Sequence, residues 1–526
     1  MKAQVNQLKA GSILSYLQMG LSIIIGLLYT PIMLRLLGQS EYGLYSTVSS
    51  TISMLSVLSL GFNSSYIRYY ARYKKEDNRE AIDKLNGLFL IIFSIIGLIA
   101  LACGLFLSFN LELVFDEGLT AGEYEIARVL MLLLTANLAI SFPMSVFQNI
   151  ISAHEKFIFL KLLGMLKTVA SPLVTLPLLL LGFRSIAMVS VTLGVSVITD
   201  GIYLLYAKKV LKVRFRFNNF EHGLFKSLFC YTFLIAAQVI VDQVNSNVGK
   251  VILGRFQGTS VVAIYSVGFA LYQYYMMFST AISGVFTPRV HKIVNSTQSG
   301  SKIFQKEQLT EFFTKVGRIQ FLILGLVATG VIFFGRPFIS FWAGAGYEDS
   351  YYVAVLLILS ISVDLIQNVG IEIQRALGKQ LFRSVIYIIT AIVNVILTIF
   401  LCQRYGAIGT AIGTAASFIV ANSIVMNIYY QRHCNIDIFA FWKSIGRLAV
   451  GLIIPVICGI AIMNLFEFTS IFLLLAGIVV YTLIYAVSMW FLGMNNYERE
   501  LIKAPLRKIT GKHKSLPPAN RDDGEV

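Results

Sequence analysis

Residues Ala236 to Lys250 read A-A-Q-V-I-V-D-Q-V-N-S-N-V-G-K. The stretch lies in a hydrophobic segment long enough to cross a bilayer, yet polar groups fill it. Gln238, Asp242 and Asn245 fall at i, i+4 and i+7 and so share one helix face. Gln243, Asn247 and Lys250 repeat that spacing on a neighbouring face. A charge in mid-membrane is costly unless it meets water or a partner. This helix is therefore expected to look into a wet cavity, and the rest of the chain to build that cavity.

The surrounding composition agrees. The 526 residues are 56% hydrophobic and 13% charged, far too apolar for a soluble protein of this size. A net charge of +16 would suggest nucleic acid in a soluble chain. In a membrane protein it reflects Lys and Arg in cytoplasmic loops, so no nucleic-acid partner is expected. The five cysteines are scattered and lack a C-x-x-C, which indicates neither a disulfide framework nor a zinc site. The apolar run from Gly11 to Leu34 is too long for a signal h-region and reads as a retained helix.

Runs of roughly 20 apolar residues recur. They place helices near 11–34, 43–66, 85–109, 125–150, 162–182, 184–206, 227–252, 260–285, 317–342, 351–375, 384–402, 405–430, 446–466 and 469–492. The expected fold is an all-α polytopic membrane protein of about fourteen transmembrane helices. Most Lys and Arg fall in Arg68–Lys84, Lys208–Arg216, Arg289–Arg318 and the tail after Asn495, whereas the alternate loops are short and often acidic. Both termini are therefore expected in the cytoplasm. The tail is polar and expected to be partly disordered, with Arg507-Lys508 and Lys512-Lys514 near the membrane surface.

An internal repeat organises the helices. A shift of 220 residues aligns Gln18 with Gln238, Arg35 with Arg255, Gly38 with Gly258, and Tyr45-Ser46 with Tyr265-Ser266. Gln148-Asn149 is echoed by Gln367-Asn368. The shift spans six helices, so both copies run in the same direction, about a two-fold axis along the membrane normal. Two pseudo-symmetric six-helix lobes around a central cleft follow: 1–210 and 211–430, then an additional helix pair over 431–492 and a cytoplasmic tail over 493–526. Helices 1, 2, 7 and 8 are expected to line the cleft.

Candidate site residues follow from polarity inside spans. Asp242, with Gln238 and Asn245, reads as a substrate- or ion-binding group, or as a buried acid bonded to neighbouring helices. Asp364, with Gln367 and Asn368 one turn on, allows the same two readings. Lys250 either reaches the interface or contacts phosphate in the cleft. Arg68 and Arg289 end helices 2 and 8, where basic residues are routine and where phosphate binding is the sharper alternative. Arg35 and Arg255 read most simply as caps of helix C-termini. Tyr272, Tyr274 and Tyr275 either stack on sugars or pack. The run Gly406-Ala-Ile-Gly-Thr-Ala-Ile-Gly413 points to close helix packing. No P-loop and no paired catalytic groups are present, so neither ATP hydrolysis nor an enzyme is expected, and no metal site.

The segment Arg35-Leu-Leu-Gly-Gln-Ser-Glu-Tyr-Gly-Leu-Tyr-Ser46 resembles the signature after the first helix of Wzx-type polysaccharide flippases, and the 406–413 run is typical of them. These belong to the multidrug/oligosaccharidyl-lipid/polysaccharide exporter superfamily. The resemblance implies two six-helix lobes around a cavity and a flippase for a polyprenyl-diphosphate-linked oligosaccharide, serving O-antigen, lipopolysaccharide or capsule synthesis. It implies a bacterial cytoplasmic membrane and, as partners, membrane lipids and the polysaccharide polymerase and chain-length proteins. The expected drive is a proton or sodium gradient, with no other cofactor. On this reading Arg68, Arg289 and Lys250 meet the diphosphate, and Asp242, Gln238 and Asn245 meet sugar or the coupling ion. A lipid II flippase or a cation-coupled multidrug exporter would share the fold. A membrane glycan polymerase or ligase would need catalytic residues outside the bilayer.

Overall fold

A computed structural model describes residues 6–115, 119–218, 222–296 and 302–509. All regular structure among them is helical, as expected where backbone groups must bond within their own segment. The first half of the chain holds α1 (Gln7–Leu37), α2 (Gln39–Met54), α3 (Phe62–Lys75), α4 (Arg79–Phe109), α5 (Ala121–Ala153), α6 (Phe157–Leu180) and α7 (Arg184–Leu205). Then follow α8 (His222–Phe256), α9 (Thr259–Ser296), α10 (Lys302–Trp342), α11 (Asp349–Ile366), α12 (Val369–Ala376), α13 (Gln380–Phe418) and α14 (Met426–His433). Last come α15 (Ile438–Ala449), α16 (Ile453–Leu465), α17 (Ile471–Ser488) and α18 (Asn496–Ile509).

Twelve helical stretches among the described residues are long and apolar enough to span a membrane. The fourteen expected differ from these at two places. The expected eleventh and twelfth helices form one 54-residue stretch, Gln380–His433. Within it Gly406 has φ 53° and ψ −128°, a conformation foreign to a helix. A Cβ on Gly409 would lie 2.1 Å from the Leu401 carbonyl oxygen, and one on Gly413 3.0 Å from the Thr398 nitrogen. The chain therefore doubles back at Gly406, and the small-residue run packs against the preceding arm, as its spacing suggests. The expected seventh helix, α8, is 35 residues long but is not among the twelve.

Two other helices are interrupted. Leu60 (φ 46°) and Gly61 (φ 80°) separate α2 from α3, inside what the sequence presents as one helix. The tenth expected helix breaks between Ile366 and Val369. Buried Gln367 donates to Asn427 Oδ1 at 2.8 Å, and Asn368 donates to Ser283 Oγ at 3.1 Å. Those amides hold the break by bonding sideways. The tail also departs from expectation. Asn496–Ile509 is a helix, anchored where Glu498 pairs with Arg318, both side chains being buried. Residues 510–526, with Lys512 and Lys514, lie outside the described residues.

Apolar side chains fill separate cores. One, from Phe62 to Ala207, lies within 1–210; the largest, from Leu253 to Ile445, draws on the second half of the chain. Other large apolar groups point outward, with Leu98 65%, Phe400 67% and Phe472 80% exposed. Such a surface suits lipid, not water.

The seam between the halves joins α2 to α9 and α8. A Cβ on Gly43 would sit 1.7 Å from the Thr259 carbonyl oxygen, so glycine is required for that approach. Ser40 Oγ lies 2.8 Å from Thr259 Oγ1. Arg35 donates to the Phe341 carbonyl at 2.9 Å, and its repeat mate Arg255 to the Leu113 carbonyl at 3.1 Å. Each arginine thus crosses to a helix end of the opposite half instead of capping its own helix. Further along the seam, Ser65 Oγ meets Thr232 Oγ1 at 2.8 Å and Tyr16 donates to the Ala281 carbonyl at 3.1 Å. Helices 1, 2, 7 and 8 of the sequence reading do meet here, but as a packed seam.

Candidate functional site

On α8, Gln238 donates to Asp242 Oδ1 at 3.0 Å, as expected of neighbours one turn apart. Asp242 and Asn245 open into a cavity of about 280 Å³. Asp364 of α11, Tyr272 and Gln273 of α9, Tyr387 of α13 and Asn422 also border it. Every bordering residue lies between positions 242 and 422. The cavity is therefore inside the second half of the chain, not between the two halves. Asp242 is exposed to this space, which answers how a carboxylate survives in a span. Asn245 accepts from Asn394 Nδ2 at 3.1 Å, and Asn394 Oδ1 accepts from Thr398 and Thr414, each at 3.1 Å.

Asp364 is held differently. Buried Arg383 donates to its Oδ1 at 3.1 Å and to the Tyr430 hydroxyl at 3.1 Å, and it also bonds the Tyr387 hydroxyl. The guanidinium also faces the Tyr387 ring, 4.5 Å from its centroid. Sequence reasoning missed Arg383 because it began that helix at residue 384, which made Arg383 a loop cation. The available signal was Arg383 and Tyr387 at i, i+4 on a helix that starts at Gln380.

The other candidates scatter. Gln367 and Asn368 serve the helix break described above. Lys250 carries its ammonium 4.8 Å from the centre of the Phe269 ring, and Phe269 borders the cavity. Arg289 borders a different cavity of about 290 Å³ with Glu311, Lys315 and Tyr497, and sits 5.7 Å from the Phe312 ring centre. Arg68 is exposed on α3. The three cations expected to share a diphosphate do not share one cavity here. Of the three tyrosines, Tyr272 faces the cavity, whereas Tyr275 is bonded to Ser362 Oγ at 2.8 Å and Tyr274 packs on Gly26. Among the described residues no cluster of His, Cys, Asp or Glu could hold a metal ion.

Residues 8–294 match a family model described as "Polysaccharide biosynthesis protein", which is more than half of the chain. The chain belongs to this family. Relatives include a Shigella flexneri protein named for O-antigen transport, 20% identical over 76% of this chain and 92% of that one. A Haloferax volcanii protein, named a probable low-salt glycan biosynthesis flippase, is 22% identical over 65% of this chain and 76% of its own. Among solved structures, the lipid II flippase MurJ in an inward closed conformation matches with TM-score 0.67 and 18% identity, over 94% of this chain and 99% of that one. An inward-facing multidrug transporter of the MATE family matches with TM-score 0.59 and 14% identity, over 82% and 99%. At these identities the structural matches establish the fold alone. With its apolar helices, this member of the polysaccharide biosynthesis family is a multi-pass membrane protein.

Proposed function

We propose that this protein is a flippase that moves a polyprenyl-diphosphate-linked oligosaccharide from the cytoplasmic to the outer leaflet of a bacterial cytoplasmic membrane, for cell-surface polysaccharide synthesis. The family match and the names of the relatives support this reading. The observation that carries it on physical grounds is the carboxylate–amide cavity of Asp242 and Asn245 beside the buried Arg383. Amides and carboxylates suit sugar hydroxyls, and cations suit a diphosphate. The polyprenyl tail stays in lipid. The sheltering volume would come from the two lobes, 1–210 and 211–430, rocking apart along the α2–α9 seam. The cavity of about 280 Å³ then belongs to a closed arrangement.

Arg68, Arg289 and Lys250 lie apart, so we assign them successive contacts with the diphosphate along the path. Asp242 binds sugar or a coupling proton or sodium ion, since no nucleotide motif offers another drive. Both termini face the cytoplasm on this reading, and the polymerase and chain-length proteins receive the product.

The test is deletion of the gene followed by mass spectrometry of lipid-linked oligosaccharides. Accumulation on the cytoplasmic side and loss of surface glycan are expected, with rescue by the wild type and not by Asp242→Asn or Asp242→Ala. Normal surface glycan in the deletion strain defeats the flippase reading. Full rescue by both variants defeats only the role of Asp242.

A further inference from the structure

The segment Leu211–Phe217, which leads from the first half to α8, turns at Lys212 (φ 51°) and then lies against α4 as an irregular strap. Leu211, Val213 and Phe215 pack on the first core, while Lys212, Arg214 and Arg216 alternate with them and stay exposed. The backbone of the strap is tied down. Asn86 Nδ2 donates to the Arg214 carbonyl at 3.2 Å, and the Arg216 N–H donates to the Asp83 carbonyl at 3.0 Å. Gly87 makes the approach possible, because a Cβ there would lie 2.1 Å from the Arg216 carbonyl oxygen. The strap therefore holds Arg214 and Arg216 in place, with Lys212 at the turn before them.

Those cations border a cavity of about 780 Å³, together with Lys74 of α3 and Arg79 of α4. Arg216 is engaged by Glu80 at 3.1 Å. Lys74, Arg79, Lys212 and Arg214 form no ion pair among the described residues, although Asp77 and Asp83 also border the space. Arg214 and Arg216 both act on Asp83, yet five cations against Asp77, Glu80 and Asp83 leave the cavity cationic. Generic loop charge does not need a strap anchored through its backbone, nor a glycine reserved for the purpose.

We infer that this cavity is a binding site for a phosphate-bearing anion, separate from the cavity of Asp242. The two arginine forks match phosphate oxygens. The volume exceeds that of bare phosphate and accommodates a lipid headgroup or a diphosphate. Because the strap continues into α8, an occupied site pins the start of the connection between the two halves. The phosphate comes either from an anionic lipid of the adjoining leaflet or from solution.

The experiment uses the full chain in nanodiscs and compares Lys212→Gln/Arg214→Gln with Lys208→Gln/Lys209→Gln. The second pair removes equal charge from exposed positions that do not border the cavity. The main-chain anchors of the strap remain in both. One arm compares the thermal midpoint in phosphatidylcholine discs with and without phosphatidylglycerol. The other adds inorganic pyrophosphate to phosphatidylcholine discs. Stabilisation of the wild type and of the 208/209 variant is expected in at least one arm, and the arm that responds names the source. In that arm the apparent affinity of the 212/214 variant is expected to fall roughly tenfold or more. The inference is overturned if neither arm stabilises the wild type, if the 212/214 variant keeps the full response, or if both variants lose it equally.

Discussion

Replacing Arg383 with Met should destabilise the protein through Asp364, and the loss should be largely recovered by also neutralising Asp364. Arg383 is 5% exposed and bonds one carboxylate and two tyrosine hydroxyls. Removing one member of a buried ion pair costs about 3–5 kcal/mol, because the other charge remains buried. Asp364 retains 17% side-chain exposure and borders the cavity, so water relieves part of the cost, and about 3 kcal/mol is expected. Asp364→Asn alone strands the guanidinium, which keeps its two tyrosine partners. In the double variant Asp364→Asn/Arg383→Met no buried charge is left, so the coupling should recover roughly 1–3 kcal/mol. Arg383→Lys keeps the charge but loses the fork, and should fall between wild type and Met. The assay is thermal unfolding of purified protein in one detergent, followed by tryptophan fluorescence and by the monomer peak after heating. The expected order of midpoints places Arg383→Met lowest and the double variant above it. A double variant melting at or below Arg383→Met would refute the reasoning, since removing the stranded carboxylate would then relieve nothing.

Two further outcomes follow. Cysteines at positions 40 and 259 should form a disulfide, because the native oxygens lie 2.8 Å apart. Oxidation should stop glycan export in complemented cells and reduction should restore it; undiminished export by the crosslinked protein would show that the seam need not part there. Acid should weaken the end of α5, where His154 donates from Nδ1 to the Ile150 carbonyl at 2.8 Å and accepts from the Tyr70 hydroxyl at 3.1 Å. Burial, reinforced by Lys74 and Lys156, holds its pKa below the usual 6.5. The unfolded chain therefore takes up the proton first, and stability present above about pH 6.5 is lost as pH falls through the lowered value. The thermal midpoint should drop less between neutral and mildly acid pH in His154→Gln than in wild type, and equal slopes would remove His154 as the cause.

The sequence by itself determined the class of the protein and the position of nearly every helix. It could do so because each membrane helix must satisfy its own backbone and match its surface to lipid or water, which are local demands written at helical spacing. The shared helix face of Asp242 and Asn245, which border one cavity, was legible for that reason, and so was the packing role of the 406–413 glycines. The tertiary structure alone decided which polar groups meet. Asp364 finds Arg383, Asn245 finds Asn394, and Arg35 and Arg255 reach carbonyls in opposite halves. It also decided that Gln367 and Asn368 support a helix break, that Arg68, Arg289 and Lys250 stand apart, and that α2 and α9 close on each other through Gly43. These outcomes depend on the relative rotation and crossing of helices far apart in the chain. The apolar pattern of a span fixes that rotation only loosely, because lipid and neighbouring helices are almost equally apolar partners.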